Sequence, residues 1–268
     1  MRYLNLACGD HFLVSEIWEN CDFAPQSKLV QQVDLLRKLP YENSAFDIVY
    51  CSHFIEHIQI DKVLEFISEC KRVLKPNGLI RLVLPDFENI AREYVNNIDT
   101  GNFEFAEFNI AEMIDQCVRR KSGGTFIQWY SKANKDPKMN SYINSRSGRE
   151  LKGRDTVVSS SINRIKRVTF YKLKYKIQLK VIYLLVSLLP KWFRHNHVIN
   201  TATGEMHLWV HDFNSISKFL ILGGFRNIQK LDAHNSTDPN FPIYPLDINS
   251  EGLSRKGRVS MYIEARNS

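Results

Sequence analysis

The chain reads as an α/β protein on a doubly wound, seven-stranded, mostly parallel sheet, and three observations lead there. Short apolar runs alternate with a helical repeat through the first 90 residues, several runs end on glycine or a polar residue, and the alternation resumes near Gly204. Strands alternating with helices imply βαβ units, because parallel neighbours need a crossover. At 268 residues, 44% apolar and 24% charged, the composition is that of a globular chain and excludes disordered, collagen-like and fibrous classes.

The elements follow in order. Tyr3 to Cys8 is the first predicted strand and closes at Gly9-Asp10. Ile17 to Phe23 is the second, with Asp22 at its end, and Leu29 to Val33 the third, ending at Asp34. The short gap from Gly9 to Asp22 implies a stunted first crossover. Phe46 to Cys51 is the fourth strand and ends at Ser52-His53. From Ile60 the period turns helical, with Ile60, Val63, Leu64, Ile67, Cys70, Val73 and Leu74 on one face. Lys71, Arg72, Lys75 and then Pro76-Asn77-Gly78 supply a stop. Leu79 to Leu84 is the fifth strand, stopped by Pro85.

The middle loses this rhythm. Phe103 to Val118 reads as a helix, Lys121 to Asp155 as a polar loop, and Ile162 to Leu189 as a long basic amphipathic stretch. Asn214 to Leu222 is a helix closed by Gly223-Gly224, and Ile228 to Leu231 the sixth strand. Arg258 to Ala265 is the seventh, with Val259, Met261, Ile263 and Ala265 on one face, forming an antiparallel last pair. The expected organisation is a core of 1–95 and 204–268 carrying a basic insertion at 96–203.

The net charge of +7 is uneven: residues 119–200 hold 19 Lys/Arg against 3 Asp/Glu, the remainder 17 against 26. An acidic body with a basic segment points to an anionic partner. The apolar run Val181 to Leu189 falls well short of the roughly 20 residues a spanning helix needs. Met1 to Leu6 enters a strand-like run at once, so no signal peptide is expected. The five cysteines are odd in number and show no CxxC spacing. Reduced thiols in a cytosolic protein, with no zinc site or other metal, are expected.

Open parallel sheets bind ligands at the carboxyl ends of their strands, near the switch in strand order. Gly9 permits close backbone approach there, although a single glycine after a strand also serves as an ordinary turn. Asp22 is placed to accept from two ribose hydroxyls. Asp34 is placed to accept from an exocyclic amine, and Leu35 to pack on a purine ring. Ser52 and His53 end the fourth strand, and Glu56-His57 opens the next helix. An imidazole titrates near neutral pH and suits a general base, while a histidine at a strand end also caps a helix. His207 and His211 alternate with apolar residues, which fits a cleft or a surface strand. No Asn/Asp-Pro-Pro-Tyr holds a base amine, no Pro-Cys offers a nucleophile for cytosine, and no G-x-G-x-x-G is present. Those absences oppose base methylation and nicotinamide binding.

LNLACG (4–9), VDLLRKLPYENSAFDIVYCSHFIEHI (33–58), ECKRVLKPNGLIRLVLPD (69–86) and LILGGFRNI (220–228) together resemble the class I S-adenosylmethionine-dependent methyltransferases, type 11 group. With GEMHLWVHD (204–212) the chain is similar to a bacterial branch found near cell-surface polysaccharide genes. The resemblance covers about 1–95 and 204–268 and implies a Rossmann-like sheet and S-adenosylmethionine as methyl donor. It implies Asn5, Ala7 and Gly9 at the methionine end, Asp22 at the ribose, Asp34 and Leu35 at the adenine, Ser52 and His53 at the reacting centre, and His207 on the acceptor side. The usual D-x-G-x-G-x-G is here Asn5, Ala7, Gly9 and His11, so one glycine survives. The expected acceptor is a small molecule, sugar, or glycan- or lipid-linked group. The alternatives are a catalytically silent scaffold in surface-polysaccharide assembly, or an RNA methyltransferase on the charge alone.

Residues 162–194 combine Lys172, Lys174, Lys176 and Lys180 with Ile177, Val181, Leu184, Leu185 and Leu188 at helical spacing, and Trp192-Phe193 at the end. That pattern suits a helix lying on an anionic membrane surface, a lid packed on the sheet, or an RNA arm. The expectation is a cytoplasmic protein peripheral to the inner face of a membrane, with nucleic acid not its partner.

Overall fold

The computed structural model describes residues 1–25, 27–148, 180–182, 184–201 and 204–268. Seven strands form one sheet: β1 (Tyr3–Leu6), β2 (Trp18–Asp22), β3 (Gln31–Gln32), β4 (Phe46–Ser52), β5 (Leu74–Pro85), β6 (Phe225–Leu231) and β7 (Ser260–Asn267). Their spatial order is β3-β2-β1-β4-β5-β7-β6. β3 to β5 pair in parallel, and β7 runs antiparallel to both β5 and β6. Chain order reverses between β1 and β4, which defines the switch point.

The period-2 alternation of each strand separates two apolar layers. Leu4, Leu6, Val49, Cys51, Ile80, Leu82, Leu84, Met261, Ile263 and Ala265 face one layer. It is closed by α1 (Val63–Val73), through Val63, Phe66, Ile67 and Cys70, and by Ile216 and Leu220 of the helix Phe213–Leu222. Tyr3, Trp18, Ile48, Tyr50, Leu79, Val83 and Tyr262 face the other, under Ala233, Phe241 and Leu246. Arg81 also lies on this second face, fully buried. Its guanidinium donates to Asp247 Oδ2 and Glu264 Oε1, each at 2.7 Å, and to the carbonyls of Asn235 and Asp232 at 3.0 and 3.1 Å. The Phe241 and Tyr262 rings lie 4.8 and 5.2 Å from its centre.

Two expectations are corrected. The polar stretch from Lys121 folds in part into helices α4 (Phe126–Ala133) and α5 (Pro137–Ser147); the rest of that expected loop, from residue 149, lies outside the described residues. These helices pack on α3 (Phe103–Val118) around Phe108, Ala133, Met139, Tyr142 and Ile143. The Asp136 side chain caps α5 by accepting from the Lys138 and Met139 N–H groups, with Pro137 at the first turn, and Gly148 closes it in the left-handed region at φ +67°. Next, Pro76-Asn77-Gly78 does not separate helix from strand. α1 ends at Val73 and β5 starts at Leu74, with the irregularity absorbed where the pairing moves from Phe46–Leu74 to Ile48–Leu79.

A helix not expected from sequence, α2 (Phe87–Asp99), leads from β5 to α3. Most of the basic amphipathic stretch, 162–179, lies outside the described residues. Residues 180–182 and 184–188 are helical and expose Val181, Ile182, Leu184, Leu185 and Leu188, with Trp192 exposed just beyond. Among the described residues no helix is long and apolar enough to cross a membrane.

Candidate active site

A cavity of about 500 Å³ opens at the carboxyl ends of β1 and β4. Asn5, Ala7 and Gly9 line it from the β1 end, Ser52 and His53 from the β4 end, and His207 from the segment before the helix Phe213–Leu222. Glu56, His57, Gln116, Arg119 and Lys256 complete its polar wall. A larger cavity of about 1190 Å³ lies between α5 and the β6–β7 edge, beside Asp86, Lys230, His234 and Arg258, and includes no residue of the β1 or β4 ends. Chemistry at a switch point therefore belongs to the smaller one.

The β1 turn is built by local hydrogen bonding. Asn5 is buried, and its amide donates to the His11 carbonyl at 3.1 Å and to Asn20 Oδ1 at 3.3 Å, so it holds the turn together from beneath. Ala7 and Gly9 adopt φ of +53° and +52°. The smallest side chain that still carries a Cβ therefore stands where glycine is favoured, at a cost of about 1–2 kcal/mol. Space above Gly9 is open: an added Cβ would meet nothing within 4 Å. Asp22 at the end of β2 accepts from the Gly9 N–H at 3.0 Å and the Ala24 N–H at 2.8 Å. A carboxylate has about four acceptor positions, so two remain for a ligand. No helix fills the described stretch between β1 and β2, as the short spacing implied.

His53 sits at the other wall, also at φ +53°, with its N–H donating to the Val83 carbonyl at 2.7 Å. Its Nδ1 lies 3.2 Å from Glu56 Oε1 and its Nε2 3.0 Å from the Ser260 hydroxyl. A carboxylate at Nδ1 keeps the proton there in the neutral ring, leaving Nε2 as the acceptor. Burial, then the nearby Lys256 charge, holds the His53 imidazolium below its ordinary range. Burial alone would raise the Glu56 carboxyl, but His53, followed by His57 and His207, overrides this and holds it at about 2. Burial depresses His207 to about 4.

The structure brings together Asn5, Ala7, Gly9, Ser52, His53 and His207, with Asp22 directly behind the Gly9 amide. It does not bring Asp34 and Leu35 there. Leu35 is buried in the apolar layer, and Asp34 accepts from the Leu36 N–H at 3.1 Å and pairs with Arg37. The reason is β3's length: two residues end it early, and the chain turns inward at Val33. His207 and His211 do not share an exposed strand. His207 faces the cavity, whereas His211 is buried beside Ser215 and Phe219.

Sequence reasoning missed three neighbours of the site. Glu56, noted only as opening a helix, is buried beneath His53. Gln116 approaches His207 Nε2 at 2.8 Å, and Ser260 approaches His53. The adjacent Glu56-His57 pair and the MHLWVH run were visible signals, but nothing local said that they meet.

Residues 8–82 match the family model described as a methyltransferase domain. A curated relative, "Probable methyltransferase ltbC" of Aspergillus luteorubrus, is 35% identical over 57 residues, 21% of this chain and 20% of that protein. The chain thus aligns with about a fifth of that relative's length. A solved S-adenosylmethionine-dependent methyltransferase from Archaeoglobus fulgidus aligns over 99% of this chain and 85% of its own, at 14% identity and a TM-score of 0.41. A Haemonchus contortus phosphoethanolamine N-methyltransferase, solved with phosphoethanolamine and S-adenosylhomocysteine, aligns over 32% and 22% at 15% identity and a TM-score of 0.28. The sheet order with its antiparallel β7 is that of a Rossmann-like α/β fold, and within it residues 8–82 carry the match to the methyltransferase domain model.

Proposed function

We propose that the chain transfers a methyl group from S-adenosylmethionine to a hydroxyl of a small-molecule, sugar, or glycan- or lipid-linked acceptor in the cavity above β1 and β4. The observation that carries this reading is the convergence of the Ala7–Gly9 turn, the Asp22 carboxylate and Ser52-His53 on one switch point. The cavity volume falls in the range of small-ligand sites, and the open space above Gly9 lets backbone approach the cofactor.

When bound, the cofactor supplies a methyl on a positive sulfur, and the carbon–sulfur bond breaks with its electron pair left on sulfur. The Ala7–Gly9 turn holds the methionine end, and Asp22 accepts from the ribose hydroxyls. Ser52 and His53 border the transfer line. His53 Nε2 takes the proton that the acceptor oxygen loses as its new bond to carbon forms, once the Ser260 hydroxyl yields that position. Glu56 at Nδ1 fixes the ring's tautomer and orientation. In-line positioning supplies most of the acceleration, so His53 contributes a minor share.

The exposed side chains of Val181, Ile182, Leu184, Leu185 and Leu188, bordered by Lys180, Lys191 and Arg194, support peripheral docking on an anionic membrane, which would present lipid-linked acceptors. The test is a labelled-methyl transfer screen over sugars, glycans and lipid extracts. Incorporation that falls at least tenfold in His53→Ala, with unchanged cofactor affinity, supports the reading. Cofactor binding without incorporation into any acceptor would favour a scaffold subunit instead, consistent with the reduced glycine content of the turn.

A further inference from the structure

We infer that Glu56, His57 and His207 form a site for a divalent transition-metal ion of the zinc type, inside the same cavity. One ligand atom from each residue lies within 4.8 Å of the others. On bonds of about 2.0–2.2 Å, a tetrahedral ion holds its ligands roughly 3.3–3.5 Å apart, so rotation of these side chains by about an ångström completes the set.

The surroundings are already arranged for such an ion. Glu56 is buried, and its Oε2 has no hydrogen-bond partner among the described residues. An unpaired buried carboxylate oxygen is costly, and a cation supplies the missing partner. His57 Nδ1 donates to the Met206 carbonyl at 2.6 Å, which fixes its tautomer and presents the Nε2 lone pair. A backbone carbonyl behind a ligating imidazole is the usual outer support. The His57 and His207 rings meet edge to face at 4.9 Å between centroids. Backbone bonds fasten the two segments: the Leu208 and Trp209 N–H groups both donate to the Glu56 carbonyl, at 2.8 and 3.2 Å. The His207 N–H donates to the Gln116 carbonyl at 3.0 Å. The ligands are therefore held by a 3-10 turn, Ile55–His57, tied to the segment that carries His207, rather than by free surface side chains.

Two imidazoles and one carboxylate select zinc-type ions over magnesium and calcium, which take oxygen sets. Three protein ligands leave an open position, and all three residues line the cavity. Resting on the methyl-transfer reading, that position takes the acceptor's hydroxyl oxygen, where the ion lowers its pKa and leaves the proton to His53.

The test is calorimetric titration of the metal-stripped full chain with Zn²⁺ and separately with Mg²⁺, with Co²⁺ absorption as a second readout. The site predicts one Zn²⁺ per chain, bound at least 100-fold tighter than Mg²⁺, and visible Co²⁺ bands typical of nitrogen–oxygen ligation. His57→Ala and His207→Ala should each weaken Zn²⁺ at least 30-fold with unchanged circular dichroism, while the distant His234→Ala leaves it unaltered. Should a variant fail to fold, Glu56→Gln, which keeps the shape, carries the same prediction. No stoichiometric Zn²⁺ binding, equal Mg²⁺ affinity, or undiminished binding in the His57→Ala/His207→Ala double variant would overturn the site. Cofactor binding measured on the same samples separates the two readings: Zn²⁺ binding without cofactor binding upholds the site and defeats methyl transfer.

Discussion

Asp22 is the most informative single side chain in the proposed cofactor site. Its carboxylate holds the Gly9 amide at 3.0 Å and the Ala24 amide at 2.8 Å, and keeps two acceptor positions for a ribose. Asp22→Ala removes hydrogen bonds to a charged acceptor and releases the Gly9 turn. Charge-assisted bonds of this kind contribute about 1.5–3 kcal/mol when buried, and Asp22 is only partly buried, so about 1–3 kcal/mol of cofactor affinity is at stake. That is roughly a 5- to 150-fold rise in the Kd for S-adenosylhomocysteine. Asp22→Asn keeps one oxygen for the Gly9 amide and should fall between wild type and alanine. Calorimetric titration of folded variants measures the ladder. An alanine variant that binds within twofold of wild type would refute the placement of the ribose on Asp22.

Three other perturbations test separate links. Arg81→Met strands Asp247 and Glu264 in the second apolar layer and should cost about 3–5 kcal/mol in urea unfolding; a loss below 1 kcal/mol would show that this network adds little. Vesicles with anionic lipid should float the protein at low salt and less at high salt, and Leu184, Leu185 and Leu188 to Ser should abolish recruitment without loss of cofactor binding. Recruitment that persists would assign the exposed side chains another role. His211 is buried and held at about 4 by burial, against the smaller opposing influence of Glu56 and Asp212. The unfolded chain, titrating near 6.5, thus binds more protons between about pH 4 and 6.5, so stability must fall as pH drops through that window. His211→Phe should remove about 2 kcal/mol of the stability lost between pH 7.5 and 5, read from urea midpoints; an unchanged pH slope would contradict the buried neutral ring.

The centre of the sheet was legible because β1, β4 and β5 are apolar on both faces, and the two α3 ends fell where the sequence placed them. Helices α4 and α5 were hidden by abundant Ser, Asn and Lys, although the Asp136-Pro137 start and Gly148 stop of α5 were available. Arg81 was invisible inside Leu79-Ile80-Arg81-Leu82-Val83-Leu84, since its partners Asp247 and Glu264 arrive from distant parts of the chain. The site divides the same way. Residues Asn5 to Gly9, Asp22 and Ser52-His53 follow from strand ends, which are local. Leu35 lies in the apolar layer instead of at the cavity because a strand-end residue can turn into the core as easily as toward a ligand. The meeting of Glu56-His57 with His207 depends on the segment before the helix Phe213–Leu222 bonding back to the Glu56 carbonyl, and no short-range pattern encodes that.

The central claim is that the turn after β1 binds S-adenosylmethionine despite its single glycine. Titration of S-adenosylhomocysteine into the wild-type chain tests it most directly. The account predicts one saturable site per chain below millimolar ligand, with the amide resonances of Ala7, Gly9 and Ala24 shifting during the same titration. Absence of heat at millimolar ligand, with those amides unmoved, would contradict it.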